Sequence, residues 1–411
     1  MRNSTTNTFK LTHLDYQELP EVAQMKRAFP FCKSAKVGNQ FYPVIANANL
    51  MDFIVLDENI VAAARKVKLN AVNPSGSEHG IVKKVCDMII NYPSFRQIIS
   101  HDLMQGGYCP ERIVSDRVFK ANHMTLPRGF QYTINQIFQT MIMEVVDASR
   151  ISECTMSCAW SERSNPGASK MIEIVDHFRK GGFKSWISLN LKSFMDNVPH
   201  DRLMQKIDIM FQDRRVANLV CTLMGLNTST VGDSQTKHGL PKDSPLATML
   251  AYDLYLSELD QKIVRLGVPH VRYNDEIVVF CDNHAAAKQI RCTLVNFVKN
   301  AMQCPVVYTR IKEIAHLAFL GLRLHGGNWR IQDKMRNAAT GLYIRVALEY
   351  ATEHRDVSLL WLAYEVLTKF ISFYEDVYSL ETEIRNLKKL RDEVFTGAIT
   401  TAEKIKLGII K

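Results

Sequence analysis

The segment Arg272–Phe280, RYNDEIVVF, restricts the possible folds of this chain more than any other. It reads as strand, tight turn, strand. Asn274 and Asp275 sit at the tip, because Asn and Asp tolerate unusual backbone angles and hydrogen-bond their own main chain. Two acids, Asp275 and Glu276, stand side by side where the second strand begins. The apolar run Ile277–Cys281 is strand-sized, and nothing in the chain approaches a membrane-spanning length of apolar residues. Taken alone, such a tip is an ordinary turn; its meaning depends on what surrounds it.

The surrounding pattern is that of an α+β domain. Residues 1 to 55 read as a mixed leader, broken by Pro20, Pro30 and Pro43. Glu58–Lys68 has helical spacing, and helical segments follow from Val82 to Met104 with an interruption at Pro93. Short strands are expected around Val114 and Val118, then a long apolar helix over Tyr132–Val146. Lys184–Phe194 alternates as a strand: Trp186, Ser188 and Asn190 face one way, Ile187, Leu189 and Leu191 the other. A helix begins at Asp201. In Gly239–Asp260, Asp243 or Ser244 caps a helix whose first turn holds Pro245. Asn283 caps the helix after the hairpin, and Ala318–Leu324 reads as a short strand. From residue 335 the chain is helical, with a broad apolar face at Leu359, Leu362, Val366, Leu367, Phe370 and Ile371. The order predicts antiparallel strands with helices on one face.

Three segments in register then carry a family resemblance. Leu189–Leu203 (LNLKSFMDNVPHDRL), Gly239–Asp260 (GLPKDSPLATMLAYDLYLSELD) and Arg272–Phe280 resemble the first, second and third palm motifs of reverse transcriptases of the group II intron type. Phe319–Leu322 is similar to the family's FLG strand, Asn59–Gly80 to its pre-finger helix and loop, and Ala159–Lys170 to the segment before the first palm motif. The resemblance covers about residues 55 to 330. It implies a right-hand polymerase fold, α+β, with a helical C-terminal thumb. The implied division is a leader (1–55), fingers and upper palm (56–180), palm (181–330) and a helical thumb or maturase-like region (331–411).

The resemblance also implies a site. In the family one Asp from the first palm strand and two from the hairpin tip hold a pair of divalent cations. Two such cations stabilise the charge that gathers as a primer 3′-hydroxyl attacks an α-phosphate, and Mg²⁺ wants hard, charged oxygen ligands. Here these catalytic positions are Asn190, Asp275 and Glu276. Asn190 offers a neutral carbonyl oxygen and no charge. Asp275 and Glu276 are the expected metal ligands, Glu276 reaching one methylene further than the family's Asp. Asp196, the next acid of the first motif, is retained but lies six residues on. In the second motif Lys242-Asp243 replaces Gln-Gly. The implied nucleotide- and template-binding residues are Tyr273, Lys242, Ser244, Lys120 and Lys312, with Arg310 as the alternative to Lys312 and Arg128 out of register with the expected finger arginine.

The balance of charge fits that reading. The formal charge is +9 and the pI about 9.0, which favours an anionic partner; nucleic acid is the commonest, a basic enzyme the plain alternative. The excess lies before Gln332, since acids and bases cancel beyond it. Nine cysteines without a CxxC pair suggest reduced thiols in an intracellular protein. The first fourteen residues, with Arg2, Lys10 and no acid, faintly resemble an organelle leader, the lesser option beside a cytoplasmic location. The resulting expectation is a reverse-transcriptase-fold RNA-binding protein, similar to an intron maturase, with polymerase activity weakened or lost. Its partners are RNA, structured intron-like RNA included, or an RNA/DNA hybrid, with no membrane. The alternative is an active RNA-directed DNA polymerase with an atypical Mg²⁺ or Mn²⁺ shell; otherwise no cofactor is expected.

Overall fold

The structure is a computed structural model. It describes residues 33–37, 40–70, 77–106, 108, 128–149, 159–160, 167–191, 193–226, 238–241, 244–305, 308–333, 335 and 357–398. The strands expected around Val114 and Val118 lie outside these residues, as do Lys120, Lys242 and Asp243.

The chain opens with β1 (Lys33–Val37), β2 (Gln40–Val44), α1 (Leu50–Ile54), α2 (Asp57–Asn70), α3 (Ser77–Asn91), α4 (Pro93–Met104) and α5 (Arg128–Ala148). It continues through β3 (Ala159–Trp160), α6 (Ala168–Lys180), β4 (Ser185–Asn190), α7 (His200–Met210) and α8 (Arg214–Leu223). Next, α9 (Pro245–Thr248) passes through a π-helical stretch, Met249–Tyr255, into α10 (Ser257–Arg265). Then come β5 (His270–Tyr273), β6 (Glu276–Cys281), α11 (His284–Asn296), β7 (Tyr308–Glu313), β8 (Ala318–Phe319), β9 (Leu322–His325) and β10 (Asn328–Ile331). Two helices close the described chain, α12 (Val357–Tyr374) and α13 (Glu381–Ala398).

The central sheet has five strands in the order β3-β5-β6-β4-β7. Its alternation decides the two cores. Ile187, Leu189, Ile277 and Val279 point into a cluster with Ile137 and Met141 of α5, Leu203 and Ile207 of α7, and Leu259 of α10. Trp186, Val271, Val278 and Phe280 point the other way, onto Met171 and Val175 of α6, Phe319, Leu322 and Trp329 of β8–β10, and Leu367, Ile371 and Tyr374 of α12. Helices therefore cover both faces, not one as the sequence order suggested. β3 adds a further departure, pairing with β5 in parallel through two residues.

The leader reading also needs revision over its described part. Ile45, Leu50, Met51 and Ile54 are buried in the first cluster. The Tyr42 hydroxyl donates to Glu258 at 2.7 Å, and the Asp213 carboxylate, capping α8, accepts from the Met51 N–H at 2.8 Å. Residues 40–54 are thus built into the sheet's helical layer. Among the described residues no helix is long and apolar enough to cross a membrane.

The strand expected over Ala318–Leu324 is two strands. Leu320 and Gly321 take φ of +55° and +71°, the pair of left-handed residues that a two-residue hairpin turn of the I′ kind needs. Phe319 then faces Leu322 across the turn. Gly321 has a second reason to be glycine: a Cβ there would lie 2.9 Å from Met335 Cγ and 3.1 Å from the Tyr374 hydroxyl. Likewise β4 ends at Asn190 rather than running to Phe194. Ser193 turns left-handed at φ +46°, and Phe194–Asn197 winds as a 3₁₀ turn.

Candidate active site and nucleic-acid interface

One row of residues crosses the sheet at its open end. Tyr273 on β5 is opposite Glu276 on β6, Glu276 is opposite Asn190 on β4, and Asn190 is opposite Tyr308 on β7. Directly opposed residues of antiparallel strands project from the same face with Cβ atoms about 5 Å apart. The sheet thus brings together Asn190, Glu276 and Tyr273, with Asp275 in the two-residue loop beside them. The face is that of Trp186, Val278 and Phe280, the one covered by the β8–β9 turn and α12.

Buried charge fixes the tip. Arg272 and Asp260 are each 2% exposed at the side chain. Arg272 Nε donates to Asp260 Oδ1 at 2.9 Å and Nη2 to Oδ2 at 2.8 Å, while Nη1 donates to the Asn274 carbonyl at 3.0 Å. His270 Nε2 lies 3.4 Å from the same carboxylate. Burial opposes ionisation of Asp260, but the Arg272 charge and the hydrogen bonds from His270 and Arg272 outweigh it and hold its carboxyl below the usual range. Arg272 thereby carries order from α10 to the hairpin loop, where Asn274 sits at φ +52°.

Glu276 does not face an open metal site. Its Oε2 accepts from the Leu320 N–H at 3.3 Å, and the Leu320 carbonyl accepts from the Tyr374 hydroxyl at 2.6 Å. The Tyr273 and Phe373 rings pack alongside, centroids 5.8 Å apart. Burial pushes the Glu276 carboxyl up to about 7, against the pull of the Leu320 N–H and with the Asp275 charge adding to the rise. Burial, with the charge of Glu276, also raises the Tyr374 hydroxyl.

Folded protein keeps the Glu276 proton to about pH 7, whereas the unfolded chain gives it up near 4.5. The native state binds the extra proton, so stability is full below pH 4.5 and falls as pH rises through about 7. The loss should be about 1–3 kcal/mol. Chemical denaturation across that window should show the decline in the native protein and a flatter profile in Glu276→Gln; equal slopes would remove Glu276 as its source.

The other expected residues separate. Ser244 is buried and its hydroxyl is engaged: it accepts from the Ala247 N–H at 3.0 Å as the cap of α9 and donates to Gln139 at 2.6 Å. Lys312 is opposite Trp186, four residues from the tip row, or about 13 Å along the strand. Arg310, opposite Ser188, stands closer. Asp196 is exposed in a groove of about 910 Å³ with Asn197, His238, Gly239 and Lys299. Gly239, at φ +102°, lets the chain pass there, since a Cβ would lie 3.1 Å from the Asp196 carbonyl oxygen. Among the described residues no three His, Cys, Asp or Glu side chains are grouped to hold a metal.

Residues 128–321, a little under half of the chain, match the family model described as reverse transcriptase (RNA-dependent DNA polymerase). This stretch is a reverse transcriptase domain. No curated protein matched the chain in a search of known proteins. Reverse transcriptase domains generally use divalent ions such as Mg²⁺. The donor set here does not fit a pair of them: Asn190 brings no charge, and Glu276 is turned to the Leu320 N–H and favours its proton. Three features of the described residues were not visible in the motifs: the Asp260–Arg272–His270 cluster, the Glu276–Leu320–Tyr374 chain, and an opposed pair of arginines. Arg323 on β9 and Arg330 on β10 are directly opposite and both exposed, with His325 on the same face. Their partners across the chain are set by register and folding, which motif spacing does not encode.

Proposed function

We propose that this protein binds RNA through its reverse transcriptase domain, in the manner of an intron maturase, and that DNA synthesis is weakened or lost. One observation carries the reading: the carboxyl of Glu276 is committed to the Leu320 backbone, directly across from the uncharged Asn190. A dication pair needs converging carboxylates at that point; a polyanion needs only cations and donors. The latter are present. The net charge is +9, and Arg323 opposes Arg330 on an exposed hairpin face, an arrangement that costs stability unless an anion lies over it.

The test is primer extension on an RNA template, first with Mg²⁺ and then with Mn²⁺, alongside RNA binding at increasing salt. The expected result is salt-sensitive binding with little or no templated product. Clear extension that Asp275→Ala abolishes would establish the competing reading, an active polymerase with an atypical metal shell. Absence of RNA binding at low salt would end both the maturase-like reading and the role given to the arginine face.

A further inference from the structure

The chain has no acidic residue between Asp282 and Glu313, although it contains 42 acids in all. Most of that interval is α11 and the π-helical segment Phe297–Ala301 that extends it. Ala287, Leu294 and Val298 bury one side of the helix against Ile187, Leu189 and Ile277 of the sheet. The flank beside that buried side carries His284, Lys288, Arg291 and Lys299, all exposed. Their spacing of four, three and eight residues keeps them on one stripe, about 22 Å long at the helical rise.

Helix physics argues against that arrangement for its own sake. The positive end of the helix dipole favours acids in the first turn, and α11 has none there. Lys288 lies three residues before Arg291, a spacing at which like charges repel. A solvated helix face ordinarily mixes signs so that neighbours pair. Among the described residues none of these four side chains is paired with an acid. Lys262 on the neighbouring α10 adds one more cation, its ammonium 5.8 Å from the centre of the Phe297 ring.

We propose that this outer stripe of α11 is a second RNA-phosphate contact surface, on the side of the sheet away from Asn190 and Glu276. A line of unpaired cations on a rigid helix fits the regular charge of an RNA backbone. The inference rests on the RNA-binding reading and extends it: the RNA reaches around the palm and is not confined to the arginine face of β9 and β10.

The experiment compares native protein with Lys288→Gln/Arg291→Gln/Lys299→Gln and with the charge-keeping Lys288→Arg/Arg291→Lys/Lys299→Arg, on a labelled stem–loop RNA over a range of salt. The neutral variant should bind at least about tenfold more weakly, with the slope of log affinity against log salt reduced by about two. The charge-keeping variant should match the native protein, and thermal unfolding of both should be unchanged or raised. Cys292, exposed one turn from Lys288, supplies a probe that does not depend on a variant. Its alkylation, followed by mass spectrometry of its peptide, should slow when RNA is bound. Equal affinity and slope in the neutral variant, or alkylation of Cys292 unaffected by saturating RNA, would overturn the stripe while leaving RNA binding at the Arg323 and Arg330 face intact. Binding of the stripe to phosphatidylserine vesicles but not to RNA would also overturn it. If native protein binds no RNA at all, the broader reading fails first.

Discussion

Asp260→Ala should destabilise the protein by about 3–5 kcal/mol, the cost of leaving a buried charge without its partner. The substitution strips Arg272 of both carboxylate contacts while its guanidinium stays 2% exposed beneath the sheet. His270, also buried, loses its acceptor. Water cannot replace the lost charge without opening the layer between α10 and β5. Equilibrium urea unfolding measures the loss. A double replacement, Asp260→Leu with Arg272→Met, should recover most of it, because matched removal of a buried pair leaves no orphan charge. The double variant would still lack the donor to the Asn274 carbonyl, so the hairpin loop should exchange its amides faster at nearly native stability. A single-variant loss below about 1 kcal/mol would mean that the pair is screened by solvent and that Arg272 does not hold the tip.

Much of the scaffold was legible because it rests on local chemistry. Ser244, Pro245 and Asn283 mark helix starts by what their own atoms do, and each stands where the sequence placed it. Alternation along β4 named the two faces of the sheet correctly, with Trp186 in one core and Ile187 and Leu189 in the other. What failed was whatever a distant partner decides. Leu320–Gly321 looked like the middle of a strand because only the backbone angles reveal the turn. Pro43 suggested a broken leader, yet the residues after it pack into the palm helices. The candidate site divides along the same line. Motif register brought Asn190, Asp275 and Glu276 to one end of the sheet. Charge type alone made Glu276 a candidate metal ligand; its burial and its contact with the Leu320 N–H, contributed from 44 residues away, could not be read from the motif.

The same geometry sets the outcome of restoring the acids. Asn190→Asp alone places a carboxylate directly opposite Glu276, and two such groups about 5 Å apart on neighbouring strands resist joint ionisation. In chelator the single variant should be less stable than the native protein by about 1 kcal/mol above neutral pH. Adding Glu276→Asp shortens the second side chain by one methylene, which is enough to break a 3.3 Å contact with the Leu320 N–H and free that carboxylate for the tip. Asn190→Asp/Glu276→Asp then presents three charged carboxylates with Asp275, converging where a pair of dications would sit. Its unfolding temperature should rise when Mg²⁺ replaces chelator, a response the native protein should lack. Templated extension with Mg²⁺ should increase on the order of a hundredfold, the effect of about 2.7 kcal/mol at the transition state. Should the double variant bind Mg²⁺ and still extend nothing, the deficit lies beyond the acids, and Lys242-Asp243 in the second motif becomes the place to repair. Should it show neither a Mg²⁺-dependent shift in unfolding nor any product, the proposal that Asn190 and Glu276 disarm the metal site fails.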